Sequence, residues 1–177
     1  MSEVTKLHKE SSPTTVGVYV LTCSTSKFKQ LQRKQEPDDK SGDTIAQLAA
    51  NAGHRIAGRK LIMDSKSMIR KAIRSALANR GVNVVIVTGG TGLSPTDVTF
   101  ETISPLLDKE IPGFGEIFRR VSYDEIGSPA MMSRAFAGTI REKAIFCLPG
   151  SPNGVRTAME KLILPELGHI TGITRTP

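Results

Sequence analysis

The chain has 177 residues, a formal net charge of +7, 5% aromatic residues and no tryptophan. This length suits one domain with its own hydrophobic core. The scarcity of aromatic side chains argues against a stacking surface for single-stranded nucleic acid, whereas the positive charge favours anionic ligands.

The two cysteines, Cys23 and Cys147, lie in or at the end of apolar segments. They are too few and too far apart to indicate a disulfide framework or a metal site. The first residues are polar and contain no apolar segment like that of a signal peptide. We therefore expect a cytoplasmic protein with buried, reduced thiols, and neither a membrane nor a nucleic acid as partner.

The chain opens with a polar segment, residues 1–14, which we expect to be a flexible N-terminal arm before a single domain at 15–177. A β-branched, apolar run predicts a first strand at 15–22. It leads into hydroxyl side chains that include Ser24. Residues 28–40 are charged and aperiodic, which indicates a surface loop.

A helix, a strand and a second helix are predicted next. Asp43 is a candidate N-cap for apolar residues that recur at helical spacing up to Gly53. Residues 55–63 alternate loosely as a strand does, and Ser65 opens the following helix. Asp64 lies between that strand and that helix, where a lone aspartate is most simply an N-cap.

The apolar residues 84–87 predict a strand buried on both faces, and a glycine-rich loop follows it directly. Backbone N–H groups in such a loop can converge on a phosphate. The spacing matches neither a P-loop nor a dinucleotide-binding turn, so an ordinary strand-to-helix turn capped by Asp97 is the alternative. The loop residues that could hold a phosphate are Thr88, Gly89, Gly90, Thr91, Gly92 and Ser94.

Asp97 and Glu101 follow this loop within about one helical turn of each other. Two carboxylates beside a bound phosphate would repel it unless a cation lay between them, so Mg²⁺ is part of the hypothesis. Successive strand ends of a doubly wound sheet meet over one crevice. Asp64 is therefore expected to face the same cleft as Asp97.

The rest of the chain predicts mainly helices and one more strand. We expect a short helix at 98–107, a turn at 111–115 and a helix at 116–122, and then a helix that begins at Ser128. Arg134 on that helix is interpreted as a surface salt bridge or, less simply, as a phosphate ligand.

Residues 143–148 predict the last strand, which ends in a Pro-Gly-Ser-Pro turn. Ser151 as N-cap and Pro152 as first helical residue start a helix that runs to Pro165. This start is either an ordinary capped helix or a second anion-binding turn together with Gly150.

Five segments occur in an order and at a spacing that resemble the MogA/MoaB family of molybdenum cofactor biosynthesis, which is shared with the G domain of gephyrin-type proteins. The segments are 88–92, 97–99, 112–115, 133–134 and 148–152, within a resemblance that covers about 15–170. Ser24-Thr25-Ser26 stands where MogA-type members carry Ser-Asp, which makes the chain more similar to MoaB.

The resemblance implies an α/β fold of three layers, with a mostly parallel central sheet and helices on both faces. It implies assembly as a trimer or as a hexamer of two trimers. It also implies adenylyl transfer from Mg-ATP to the terminal phosphate of molybdopterin, which releases pyrophosphate before metal insertion. The metal-insertion protein of the pathway is an implied partner.

The two essential aspartates of that family map onto Asp64 and Asp97. We assign them catalysis and the positioning of Mg²⁺, directly or through water. A phosphate oxygen is already ionised at pH 7, so the reaction needs charge neutralisation and alignment rather than a general base. The expected binding residues are Ser24, Thr88, Gly89, Gly90, Thr91, Gly92, Ser94, Glu101, Ser133, Gly150, Ser151 and Pro152.

Two other functions remain open at this point. A non-catalytic molybdopterin-binding or scaffold protein would bind molybdopterin without releasing pyrophosphate from Mg-ATP. A nucleic-acid-binding protein would bind with an affinity that falls steeply with salt, but the sequence contains no recognised nucleic-acid motif.

Overall fold

The computed structural model describes residues 13–175, so the predicted N-terminal arm lies outside the described residues except for its last two positions. The strands are β1 Gly17–Cys23, β2 Arg55–Ile62, β3 Val84–Thr88, β4 Lys109–Glu110, β5 Phe136–Ile140 and β6 Lys143–Leu148. The helices are α1 Thr25–Gln32, α2 Lys40–Asn51, α3 Lys66–Ala78, α4 Thr99–Ile103, α5 Pro112–Ile126, α6 Pro152–Ala158 and α7 Leu164–Ile173. Short 3₁₀ segments lie at Ser104–Leu106 and Ser128–Met132, and a π segment at Met159–Ile163 joins α6 to α7.

The six strands form one sheet in the order β2-β1-β3-β6-β5-β4. Strands β2, β1, β3 and β6 are parallel to one another, and β5 and β4 extend the sheet as antiparallel strands. The chain leaves β1 towards β2 on one side and later returns to β3 on the other. A crevice therefore opens at the carboxyl ends of β1 and β3, which is where open α/β sheets bind ligands.

Two hydrophobic clusters cover the two faces of the sheet, as the predicted three-layer fold requires. All five residues of β3 are buried, because helices lie on both sides of this strand. One cluster joins the sheet to α2, α5, α6 and α7, and the other joins it to α3 and α4. No helix within residues 13–175 is long and apolar enough to cross a membrane.

The predicted surface loop at 28–40 is wrong in its first part, because α1 occupies Thr25–Gln32. Ser24 is the N-cap of α1 and accepts a hydrogen bond from the Lys27 N–H. No residue of α1 is buried, so the sequence carries no apolar stripe that would indicate a helix. The N-cap of α2 is Asp39, four residues before the predicted Asp43.

The predicted turn at 111–115 is also wrong, since α5 begins at Pro112 and continues to Ile126. Phe114 and Phe118 pack into the core from this helix, and that burial outweighs the low helix propensity of the two glycines. The helix predicted from Ser128 is only a 3₁₀ segment, and the chain then forms the unpredicted strand β5.

Both thiols are buried and unpaired, as predicted. Burial raises the pKa of Cys23 to about 12 and raises the pKa of Cys147 well above its ordinary value. A raised pKa leaves almost no thiolate at pH 8, and the thiolate is the reactive form. We expect the native protein to react with Ellman's reagent at neither cysteine and the denatured protein to react at both. A fast reaction in the native state would contradict this burial.

Candidate functional site

A cleft of about 790 Å³ opens where β1, β2, β3 and β6 end. Its volume lies within the range of roughly 300–1,000 Å³ that is usual for small-molecule sites. Segments 22–27, 88–92 and 149–151 form one part of its wall. Side chains of α5 and of the 3₁₀ segment after it form the other part. Four strand ends therefore contribute to one site.

The glycine loop after β3 has a backbone that only glycine adopts easily. Gly89 has φ of 92° and Gly90 has φ of 64°. The N–H of Gly89 donates to the carbonyl of Leu148 (3.1 Å). Within residues 13–175, the N–H groups of Gly90, Thr91 and Gly92 have no acceptor. The loop therefore presents backbone donors of the kind that bind phosphate.

The structure corrects the role predicted for two hydroxyls of this loop. The Thr88 hydroxyl donates to the carbonyl of Pro149 (2.7 Å), and the Thr91 hydroxyl donates to the carbonyl of Leu148 (3.4 Å). Both side chains are buried. They brace the glycine loop against the turn after β6 instead of offering protons to a ligand. Ser94 is exposed and lies outside the cleft.

Asp64 is held in place by the start of α1. Its Oδ2 accepts hydrogen bonds from the Thr25 N–H (2.8 Å) and the Thr25 hydroxyl (3.0 Å). Its Oδ1 is buried and has no hydrogen-bond partner. A Cβ at Gly90 would lie 2.7 Å from this oxygen, so the unpaired oxygen faces the glycine loop. An orphaned carboxylate oxygen in such a position indicates a site for a cation or a donor from a ligand.

Asp97 follows the glycine loop in the chain and lines the same cleft as Asp64, as predicted. Its Oδ2 accepts a hydrogen bond from the Ser94 N–H (3.0 Å). A Cβ at Gly92 would lie 2.6 Å from Oδ2. The absence of side chains at Gly90 and Gly92 thus makes room for both carboxylates.

These two carboxylates fit Mg²⁺, which binds hard oxygen ligands and takes only one or two carboxylates when substrate phosphates complete its shell. Residues 13–175 contain no cluster of three or more His, Cys, Asp or Glu side chains that could hold a metal. A Mg²⁺ ion that arrives with a phosphate substrate suits this site.

Arg134 clamps the glycine loop from the side of β5. Its guanidinium donates to the carbonyls of Thr91 (3.3 Å) and Gly92 (2.6 Å), lies over the Phe100 ring (5.3 Å to the centroid) and forms an ion pair with Glu101. The hydrogen bond from Arg134 lowers the pKa of the Glu101 carboxyl. Glu101 does not line the cleft, so the predicted part in Mg²⁺ positioning is replaced by a part in this clamp.

The end of the cleft near α5 has a different character. Ile126 and Met132 supply apolar surface there, next to the buried Phe118, while Ser122 and Glu125 are its polar groups on α5. Glu125 accepts hydrogen bonds from the Thr157 hydroxyl (2.7 Å) and the Lys161 ammonium (2.6 Å), which lower its pKa. An apolar surface with a few fixed polar groups suits a heterocyclic ring.

Comparisons with known proteins identify the family. Residues 19–169 match the family described as "Probable molybdopterin binding domain". Molybdenum cofactor biosynthesis protein B of Bacillus cereus is 46% identical over 165 residues, which cover 93% of this chain and 94% of that protein. The chain belongs to the MogA/MoaB family of molybdenum cofactor biosynthesis proteins.

Solved structures of the family share the fold. A crystal structure of Molybdenum cofactor biosynthesis protein B aligns with a TM-score of 0.85 and 45% identity, covering 93% of this chain and 98% of that one. The tungsten cofactor synthesizing protein MoaB from Pyrococcus furiosus aligns with a TM-score of 0.82 and 38% identity, covering 93% of this chain and 100% of that one.

Most residues that the MogA/MoaB resemblance marks surround the cleft. The lining includes Ser24, Asp64, Thr88, Gly89, Gly90, Thr91, Gly92, Asp97, Ser133, Gly150 and Ser151. Ser94, Glu101 and Pro152 do not line it. Pro152 is instead the first residue of α6, and the Ser151 hydroxyl caps that helix by accepting from the Gly154 N–H (3.2 Å).

The sequence interpretation missed other residues at the MogA/MoaB cleft. Lys27 and Ser41 lie just before and just after the segment that was predicted as a loop, and the Ser41 hydroxyl donates to the carbonyl of Gly150 (2.7 Å). Glu125 lies beyond the helix predicted at 116–122, and no motif marks it; the structure places it in the last turn of α5. The one usable signal was Asp39, which does not line the cleft but is the N-cap of α2 and thereby places Ser41 in the first turn of that helix.

Proposed function

We propose that this protein transfers the adenylyl group of Mg-ATP to the phosphate of molybdopterin. One observation carries the proposal: the buried, unpaired Oδ1 of Asp64 faces a glycine loop that has free N–H groups, with Asp97 lining the same cleft. Carboxylates beside an anion-binding loop are a costly combination unless a cation bridges them to phosphate. The family membership supports the same reaction.

In this reaction an ionised oxygen of the molybdopterin phosphate attacks the α-phosphorus of ATP. A new P–O bond forms as the bond between the α-phosphorus and the bridging oxygen to the β-phosphate breaks. Pyrophosphate leaves with the bonding electrons on that oxygen, and the products are adenylylated molybdopterin and pyrophosphate. No proton has to be removed from the attacking group.

The chain's own residues supply position and charge. The N–H groups at Gly90 to Gly92 would hold phosphate oxygens, and Asp64 and Asp97 would hold Mg²⁺, which neutralises charge on the phosphates when it is bound. The apolar end near Phe118 would take a ring of a substrate. The Cys23 thiol lines the cleft, but its raised pKa keeps it neutral, so it does not act as base or nucleophile.

The test is pyrophosphate release by the purified protein with molybdopterin and Mg-ATP, with each substrate omitted in turn. Release that requires both substrates supports adenylyl transfer. Binding of molybdopterin without release would move the protein to the non-catalytic, molybdopterin-binding class. Absence of both would contradict the proposal.

The Arg134 clamp yields a separate prediction. Arg134→Ala removes two donors to loop carbonyls, so the loop N–H groups lose their fixed direction. A displacement of about 1 Å can cost on the order of 100-fold in rate, and we expect kcat to fall about 30-fold. Arg134→Lys should lose less of kcat than Arg134→Ala, because a lysine keeps the charge but not the forked geometry.

The matched control for Arg134 is Arg120→Ala, since Arg120 is an exposed arginine that pairs only loosely with Asp124 (3.9 Å). Kinetics of pyrophosphate release and melting temperatures should be measured for all three variants. Unchanged kcat in Arg134→Ala would show that the loop holds its shape without the clamp.

A further inference from the structure

Lys27 is the single cationic side chain that lines the cleft, as far as residues 13–175 show. Three carboxylates line it as well, those of Asp64, Asp97 and Glu125. Substrates that carry phosphate groups add more negative charge to this surface. The protein side of the cleft is thus short of positive charge for the ligands that the proposed function names.

The present partner of Lys27 holds it weakly. Its ammonium lies 3.7 Å from Asp39 Oδ1, which is an ion pair beyond hydrogen-bond distance. Asp39 has three better or comparable partners, namely the Thr22 hydroxyl (2.8 Å), the Gly42 N–H (3.2 Å) and Arg59 (3.6 Å). Loss of Lys27 would therefore leave the Asp39 carboxylate compensated.

The backbone of Lys27 is held at the start of α1, while its side chain is partly exposed and only weakly paired. The Lys27 N–H donates a hydrogen bond to the N-cap Ser24, and the Thr25 N–H donates one to Asp64. The start of α1 is therefore attached to the part of the cleft that carries Asp64. The Lys27 side chain is 28% exposed. A flexible four-carbon stem on a fixed anchor can carry its charge over several ångströms.

We propose that the Lys27 ammonium leaves Asp39 when substrate is present and binds a phosphate oxyanion in the cleft. The identity of the phosphate compound rests on the proposed function, and it is either the triphosphate of the nucleotide or the monophosphate of the pterin. Lysine binds phosphate as a point charge and needs no fixed fork geometry, which suits a group that changes partners.

The opposing interpretation is that Lys27 only balances the charge of Asp39. In that case removal of the ammonium would lower stability and leave ligand affinity unchanged. The two interpretations therefore predict different ligand affinities for a variant that lacks the ammonium, and a loss of stability alone does not separate them.

The experiment compares Lys27→Met, Lys27→Arg and the control Lys29→Met with the unaltered chain. Lys29 lies on the same helix, is exposed and does not line the cleft. Dissociation constants for Mg-ATP and for molybdopterin are measured separately by titration calorimetry, at low and at high salt, together with the melting temperature.

We expect Lys27→Met to weaken binding of one ligand about 10-fold or more, which corresponds to one charge-assisted hydrogen bond. The dissociation constants of Lys27→Arg should stay within about threefold of those of the unaltered chain, because arginine keeps the charge. The dissociation constants of Lys29→Met should match those of the unaltered chain. The salt dependence of the affected ligand should decrease in Lys27→Met. The ligand that weakens identifies which phosphate Lys27 binds.

Lys27→Met affinities within twofold of the unaltered chain for both ligands would overturn the proposal. An unaltered protein that releases no pyrophosphate, yet loses affinity on Lys27→Met, would refute adenylyl transfer and leave the phosphate role standing. A protein that binds neither ligand would refute both.

Discussion

Asp97→Asn should reduce pyrophosphate release by about 1,000-fold, since an amide lacks the charge that holds Mg²⁺ beside the reacting phosphates. The same loss is expected for Asp64→Asn. Neither substitution changes the shape of the side chain, so circular dichroism and the binding of molybdopterin alone should stay close to those of the unaltered protein. Steady-state kinetics at saturating Mg-ATP provides the measurement.

The two variants should differ in stability. The buried Oδ1 of Asp64 has no hydrogen-bond partner, so nothing offsets the desolvation of this oxygen. Asp64→Asn removes that charge, and its melting temperature should equal or exceed the native value. Such a trade between stability and activity is common at active sites.

Asp124→Asn is the matched control, because Asp124 is exposed on α5 and lies outside the cleft. It should leave the rate unchanged. A rate within tenfold of the unaltered enzyme for either cleft variant would remove that carboxylate from the catalytic assignment. A large drop in melting temperature for Asp64→Asn would make the residue structural.

Gly90→Ala should lower the rate of pyrophosphate release almost as much as the two aspartate substitutions do. A side chain at φ of 64° costs about 1–2 kcal/mol, and the added Cβ would lie 2.7 Å from Asp64 Oδ1. The loop or Asp64 must move, so the loop N–H groups and the Asp64 carboxylate would no longer be placed around the same phosphate. We expect a loss of at least about 100-fold in the rate, with a melting temperature lower by roughly 3–6 °C.

Gly113→Ala serves as the control, since a Cβ at Gly113 would meet nothing within 4 Å and the residue lies in helix α5. It should be neutral or slightly stabilising, because alanine favours the helix. If Gly90→Ala retained native kinetics, the loop would be more tolerant than its conformation indicates, and its part in phosphate binding would be lost.

The parts of this fold that the sequence could predict are those with local signals. The β-branched run of β3, the glycine loop after it and the Ser151-Pro152 helix start each combine residue types whose physical effect is confined to a few neighbours. The convergence of Asp64 and Asp97 followed from the rule that parallel strand ends share an edge.

The parts that could not be predicted depend on distant partners. The hairpin between β5 and β6 turns through Arg141 and Glu142, which both have positive φ although neither is glycine, so the usual turn signal is absent. Helix α1 has no buried residue and is fixed by the bond between Thr25 and Asp64. The partner of Glu101 is 33 residues further along the chain.

The Arg134 contacts to the glycine loop span 42 and 43 residues, and the bond from Ser41 to Gly150 spans 109. Contacts between such distant segments form late, because a long stretch of chain must close first. During synthesis the glycine loop leaves the ribosome well before Arg134, which braces it. We therefore expect the cleft to reach its final shape late in folding, and partial unfolding of the β5 edge should disturb the cleft while the parallel core is still intact.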